Sequence, residues 1–266
     1  MLAAPVFAAA WLLFAIEPML AKSLLPALGG SPATWAACML AFQLLLLAGY
    51  GYAYLGGRYL KVRHQALLHA PLLLAAATNL LATRLASTPE LGTLEPALAV
   101  PWLVLRRVGL PFAILASTTP LLSRWAAALG RPAPAIYAVS NAGALLGLVA
   151  YPILLERFVA LPAQFAFWAA GFVLFGLSSL PVCALAARAP SADARATRGS
   201  ATWSQRLRWL SCAFLPAALL LAVTNYITVD VAAAPLLWVV PLALYLAVAM
   251  VGTAGSTSGI NKPEST

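Results

Sequence analysis

The sequence predicts an all-α fold: a polytopic transmembrane helix bundle of about eight spans, with both termini on the cytoplasmic side. Three observations carry this reading. Of the 266 residues, 63% are hydrophobic and only 9% are charged, against about 25% charged in a soluble domain, so too few charges remain to coat a water-facing surface. Stretches such as Ala66 to Thr83, Ala160 to Ala187 and Ala232 to Gly252 are apolar on every face, as a helix surrounded by lipid and protein is. A backbone in hydrocarbon must pair its amides within its own segment or in a closed sheet, and the alternating strands of about ten residues that mark a barrel are missing.

Spans follow from requiring about 20 mostly apolar residues between polar or turn-forming breaks. They run over about 3–27, 33–56, 66–83, 108–128, 133–155, 160–187, 209–229 and 233–252. The first span is not a secretory signal, because no Lys or Arg precedes it and its apolar run passes Glu17 and Pro18 to Ala27. Turn residues close the spans where expected: Gly29, Gly30, Ser31 and Pro32 after the first, Gly56 and Gly57 after the second, Gly130, Arg131 and Pro132 after the fourth. The fourth span is taken to start at Val108, so that Arg106 and Arg107 snorkel to the outer interface. Residues 1–187 thus form a six-helix block and 188–208 a basic cytoplasmic linker, followed by a two-helix hairpin over 209–252 and a disordered tail over 253–266.

Alternate connections divide the basic residues. Arg58, Lys61, Arg63, Arg124, Arg131, Arg188, Arg195, Arg198, Arg206, Arg208 and Lys262 fall on one side. Arg84, Arg106, Arg107 and Arg157 fall on the other, offset by Glu90, Glu95, Glu156 and Asp230. The first side is therefore cytoplasmic. The same distribution explains the net charge of +9 as loop chemistry and argues against nucleic acid as a partner. Cys38, Cys183 and Cys212 sit in or beside apolar runs without a CxxC pair and read as small buried hydrophobes, so neither a metal site nor a disulfide framework is expected. The only internal echo, Thr78-Asn79 and Thr224-Asn225, reads as chance in so biased a composition.

Few residues could carry chemistry. Glu17 stands out, because a carboxylate inside a span is costly to keep there. Pro18 beside it withholds an amide hydrogen from the carbonyl one turn back and favours a kink. Lys22 lies about 140° around an ideal helix from Glu17 and is no natural intrahelical partner. Glu17 then seeks another helix, water or a cationic ligand, and a packing role weighs equally with a ligand role. In the fifth span Asn141 accompanies the GxxxG spacing of Gly143 and Gly147, a pattern for close helix packing with an amide available across the contact. Asn225, Tyr226 and Asp230 gather near the outer end of the seventh span, where Asn225 and Asp230 could join Glu17 in an acidic outer-half site. Gln43, His69, Asn79, Thr118 and Thr119 read as interhelical hydrogen-bonding residues. No P-loop, GxGxxG, HExxH or GxSxG occurs, so no catalytic residue, metal or cofactor is expected on this chain.

The ordered residues also carry a resemblance. Phe14-Ala15-Ile16-Glu17-Pro18-Met19-Leu20-Ala21-Lys22, then Leu24-Leu25-Pro26 and Gly29 to Trp35, resemble the first span of bacterial membrane proteins related to spermidine synthase, the fused major-facilitator-like/spermidine synthase proteins. Gln43 to Tyr54, Val108 to Phe112, Thr118 to Leu122, Tyr137 to Pro152, Thr224 to Thr228 and Pro235 to Leu246 extend it over most of residues 10–250. The resemblance implies residence in the bacterial inner membrane and a soluble aminopropyltransferase-like domain after the membrane region. That domain has no counterpart in this sequence, so none of its catalytic residues can be carried over. The expectation is a noncatalytic module that anchors or serves a cytoplasmic spermidine synthase-like domain or protein. The alternatives are a transporter for a small cationic solute and a structural subunit of a membrane complex.

Overall fold

The structure, a computed structural model, describes residues 1–28, 32–85, 95–130, 134–188, 202–226 and 240–248. Helices α1 (Ala3–Leu28), α2 (Pro32–Tyr59), α3 (Val62–Leu85), α4 (Pro96–Ala128) and α5 (Pro134–Ala150) come first. A π-helical turn (Tyr151–Leu155) and the short α6 (Glu156–Phe158) extend α5, and α7 (Leu161–Ala187) and α8 (Trp203–Tyr226) follow. Residues 240–248 are also helical, and no strand occurs among the described residues. Seven of these helices, counting α5 to α6 as one, are long and apolar enough to cross a membrane. The chain is a multi-pass helical protein suited to contact with a lipid bilayer.

Helix boundaries have local causes. Proline opens α2, α4 and α5 at a position whose N–H would have no helical acceptor anyway. After α4, Gly130 turns to φ 71°, the left-handed conformation that a helix end takes most readily at glycine. Pro152 cannot donate to the carbonyl of Leu148, and the chain there widens to the π pattern, in which the Glu156 amide reaches Tyr151.

The structure corrects several expectations. The fourth helix begins at Pro96 rather than Val108, so Arg106 and Arg107 lie within it. Ala99, Val100, Leu103 and Val104 in that added stretch are buried against the bundle, which is what extends the helix past the two arginines. The seventh helix begins at Trp203, so Arg206 and Arg208 ride on its first turns and not in a linker. Cys38 and Cys183 are buried as expected, but Cys212 is exposed, because α8 packs sparingly against the rest. Residues 189–201, most of the eighth span and the 253–266 tail lie outside the described residues.

A two-fold internal pattern, distinct from the Thr78-Asn79 and Thr224-Asn225 echo noted in the sequence, organises the first six crossings. Helix α1 packs along α5 and α2 along α4, while α1 meets α7 as α4 meets α3. This is the pairing expected of α1–α3 repeated as α4, α5 to α6, and α7. Individual contacts repeat as well. A Cβ on Gly147 would stand 2.5 Å from the Trp11 carbonyl oxygen, and one on Gly49 would stand 2.5 Å from that of Ala113. Gln65 on α3 donates to Gly56 and Leu60, and Gln164 on α7 donates to Leu155 and Val159. A unit with an odd number of crossings starts its second copy on the opposite face, so the two are inverted, as in many transporter folds. The chemistry of the contact suits lipid, where helices associate through close backbone approach rather than by escaping water.

Candidate functional site

Helix α1 is the centre of the block and divides its surface. Val6, Ala9, Leu13, Ile16 and Leu20 are buried among neighbouring helices, and the Leu12 carbonyl accepts the Trp168 indole N–H at 2.8 Å. On another side, Phe14, Glu17 and Ala21 recur at helical spacing and face a cavity of about 250 Å³. Its opposite walls are Cys38, Met39, Phe42, Gln43 and Leu46 of α2, Ala217, Leu220 and Leu221 of α8, and Leu242. The cavity is thus the space between the packed six-helix block and the loosely apposed α8 with residues 240–248.

Among the described residues Glu17 is the only carboxylic acid lining the cavity, and it is partly accessible although its helix is largely buried. Among the described residues it makes no hydrogen bond and no ion pair. Pro18 leaves the carbonyl of Phe14, a residue of the cavity wall, without a helical N–H from position 18. Gln43 contributes an amide across the cavity. The remainder of the described lining is apolar or aromatic apart from the Cys38 thiol. The arrangement can therefore hold one positive charge beside an apolar body.

The other residues singled out from the sequence are dispersed. Lys22 pairs with Glu156 at 2.8 Å, their side chains 41% and 27% exposed, which ties the end of α1 to the end of the α5 to α6 helix and leaves Lys22 committed away from Glu17. Gly143 and Gly147 face α1 at the carbonyls of Phe7 and Trp11, and a methyl added to either glycine would stand only 2.5 Å from the carbonyl oxygen it faces. Asn141 is half-buried on α5, next to Ser140, whose hydroxyl lies 2.9 Å from that of Thr119 on α4. Pro18 sits within an α1 that stays helical past it. Asn225 falls on the last turn of α8, but its side chain, like all of Asp230, lies outside the described residues.

Sequence reading named His69 as an interhelical hydrogen-bonding residue but passed over the rest of the buried polar cluster to which it belongs, at the far end of the block. Trp125 donates to the Gln65 side-chain oxygen at 3.0 Å, and the Tyr52 hydroxyl lies 3.4 Å from His69 Nδ1. His69 Nε2 is buried without a partner among the described residues. Gln65 and Trp125 were visible as polar-capable groups inside apolar runs, but their meeting depends on the α3 and α4 crossing. No group of His, Cys, Asp and Glu among the described residues could hold a metal ion. Compared with known proteins, the chain matches no family model, no curated protein and no solved structure.

Proposed function

We propose that this chain is a bacterial inner-membrane carrier that binds a small cationic solute at Glu17, in the cavity between α1, α2 and α8. The observation that supports it is the carboxylate itself, unpaired among the described residues and set on an otherwise apolar chamber. A charged group kept at that depth without a protein partner marks a ligand or ion path. Inverted three-helix units are an architecture that many carriers share, although this cavity lies beside one unit and not between the two. In this reading both termini are cytoplasmic and the chain performs no covalent chemistry.

The test is uptake of radiolabelled amines into proteoliposomes. The wild-type chain should take up at least one amine of the panel, and Glu17→Gln should lose most of that uptake. Equal uptake by both proteins, or none by the wild type, would refute the carrier reading. A second reading, an anchor for a cytoplasmic spermidine synthase-like protein, is favoured by the ordered resemblance over residues 10–250. Its signature would be co-purification of an aminopropyltransferase with the chain.

A further inference from the structure

We infer that the Glu17 chamber selects a monoamine with an apolar or aromatic body and discriminates against polyamines. The inference rests on the carrier reading and adds the class of solute. Three features of the chamber point to it. First, among the described residues it presents one carboxylate, Glu17, so one positive charge is neutralised and a second would enter without a counter-charge from them. Lys22, the nearest ionisable group along α1, is held by Glu156 at 2.8 Å, and no other acidic residue among the described residues lines the cavity. A polyamine would leave its further ammonium groups against Leu46, Leu220, Leu221 and Leu242 in surroundings that solvate charge poorly.

Second, the acceptors around Glu17 suit an ammonium head that carries N–H bonds. The Phe14 carbonyl lacks a helical donor because of Pro18, and the Gln43 amide offers an oxygen from α2. Third, Phe14 and Phe42 line the same space, and aromatic faces favour both a cation and an aromatic ring beside it. A cavity of about 250 Å³ is enough for such a body but lies below the range of drug-sized sites, so bulky multi-ring cations are excluded by size.

The experiment is competitive binding to the full chain in lipid nanodiscs, with tritiated 2-phenylethylamine and tritiated spermidine as separate probes. The expected result is saturable binding of 2-phenylethylamine to the wild type, reduced at least tenfold in Glu17→Gln, with unlabelled spermidine at least tenfold weaker as a competitor. Spermidine that binds at Glu17 as well as the monoamine, or better, would overturn the selectivity and leave the carrier reading standing. No Glu17-dependent binding of either probe would overturn the carrier reading itself. Displacement on the wild type alone decides the selectivity if Glu17→Gln does not fold.

Discussion

Gln65 and Gln164 show how single side chains close the ends of this bundle. The last carbonyls of a helix have no intrahelical donor, and in each unit a glutamine one turn into the next helix supplies it. Gln65 donates to Gly56 and Leu60 at 3.2 and 2.9 Å, and Gln164 donates to Leu155 and Val159 at 3.0 and 2.7 Å. They differ on the acceptor side. The Gln65 oxygen takes the Trp125 N–H, whereas the Gln164 oxygen is buried without a partner among the described residues. The Gly56 and Leu155 carbonyls also accept the backbone N–H of Leu60 and Val159, so Gln65→Leu strands the Leu60 carbonyl and a buried indole N–H, while Gln164→Leu strands the Val159 carbonyl but also removes an unsatisfied oxygen. At about 1–3 kcal/mol for each stranded buried group, Gln65→Leu should be the more destabilising. Thermal unfolding in detergent should show the larger drop in midpoint for Gln65→Leu, and the opposite order would contradict this assignment. The Lys22–Glu156 pair is a weaker contributor, since both side chains are partly exposed. Lys22→Gln should lower stability by less than about 1 kcal/mol, read on the same unfolding curve.

At the scale of the helices, glycine decides how closely two of them approach. Added methyls at Gly49 and Gly147 would each stand 2.5 Å from a carbonyl oxygen of the facing helix, and backbone cannot yield as a flexible side chain can. Gly51 and Gly176 have nothing within 4 Å of the same position. Gly49→Ala and Gly147→Ala should therefore each cost about 1–3 kcal/mol through overpacking. Gly51→Ala and Gly176→Ala should be neutral or stabilising by up to about 1 kcal/mol, as alanine is the better helix former. Detergent melting of the four variants separates the pairs, and equal shifts in all of them would refute the close-contact account. Gly147 was legible in the sequence because GxxxG announces itself. Gly49 was not, because its partner is the backbone of α4, which no short motif encodes. The internal repeat escaped for a related reason. Its markers are few: Gln65 and Gln164, Tyr52 and Tyr151, Pro32 to Trp35 and Pro134 to Tyr137. They stand in a background where most positions are Leu or Ala in both copies. Glu17 was legible because charge is rare in such a background, but its chamber depends on α1, α2, α8 and residues 240–248 coming together, which spacing along one helix does not reveal.

For the whole molecule, the contacts sort charges by end in a way the sequence tally could only assume. The Lys22–Glu156 pair fixes one end of the bundle, and Arg157 adjoins it. The Gln65–Trp125 bond fixes the other, and Arg58, Lys61, Arg63 and Arg124 belong to that end. Arg124 crosses the α2 to α4 contact so closely that a Cβ on Gly57 would stand 2.8 Å from its guanidinium nitrogen. The parallel courses of α1 with α5, shown by Phe7 against Gly143 and Trp11 against Gly147, keep the two ends distinct through the block. Short loops rich in Lys and Arg stay on the cytoplasmic side during insertion, so the Gln65–Trp125 end should face the cytoplasm. A single reporter cysteine at Lys61, in a chain freed of Cys38, Cys183 and Cys212, should then resist a membrane-impermeant maleimide in intact cells and react after the membrane is permeabilised. The same reporter at Arg157 should react in intact cells. Because inversion ties the direction of α4 to that of α1, both reporters must change together: reversed labelling would turn the whole molecule over, whereas labelling at both positions in intact cells would break the alternation of crossings on which the two-unit architecture depends.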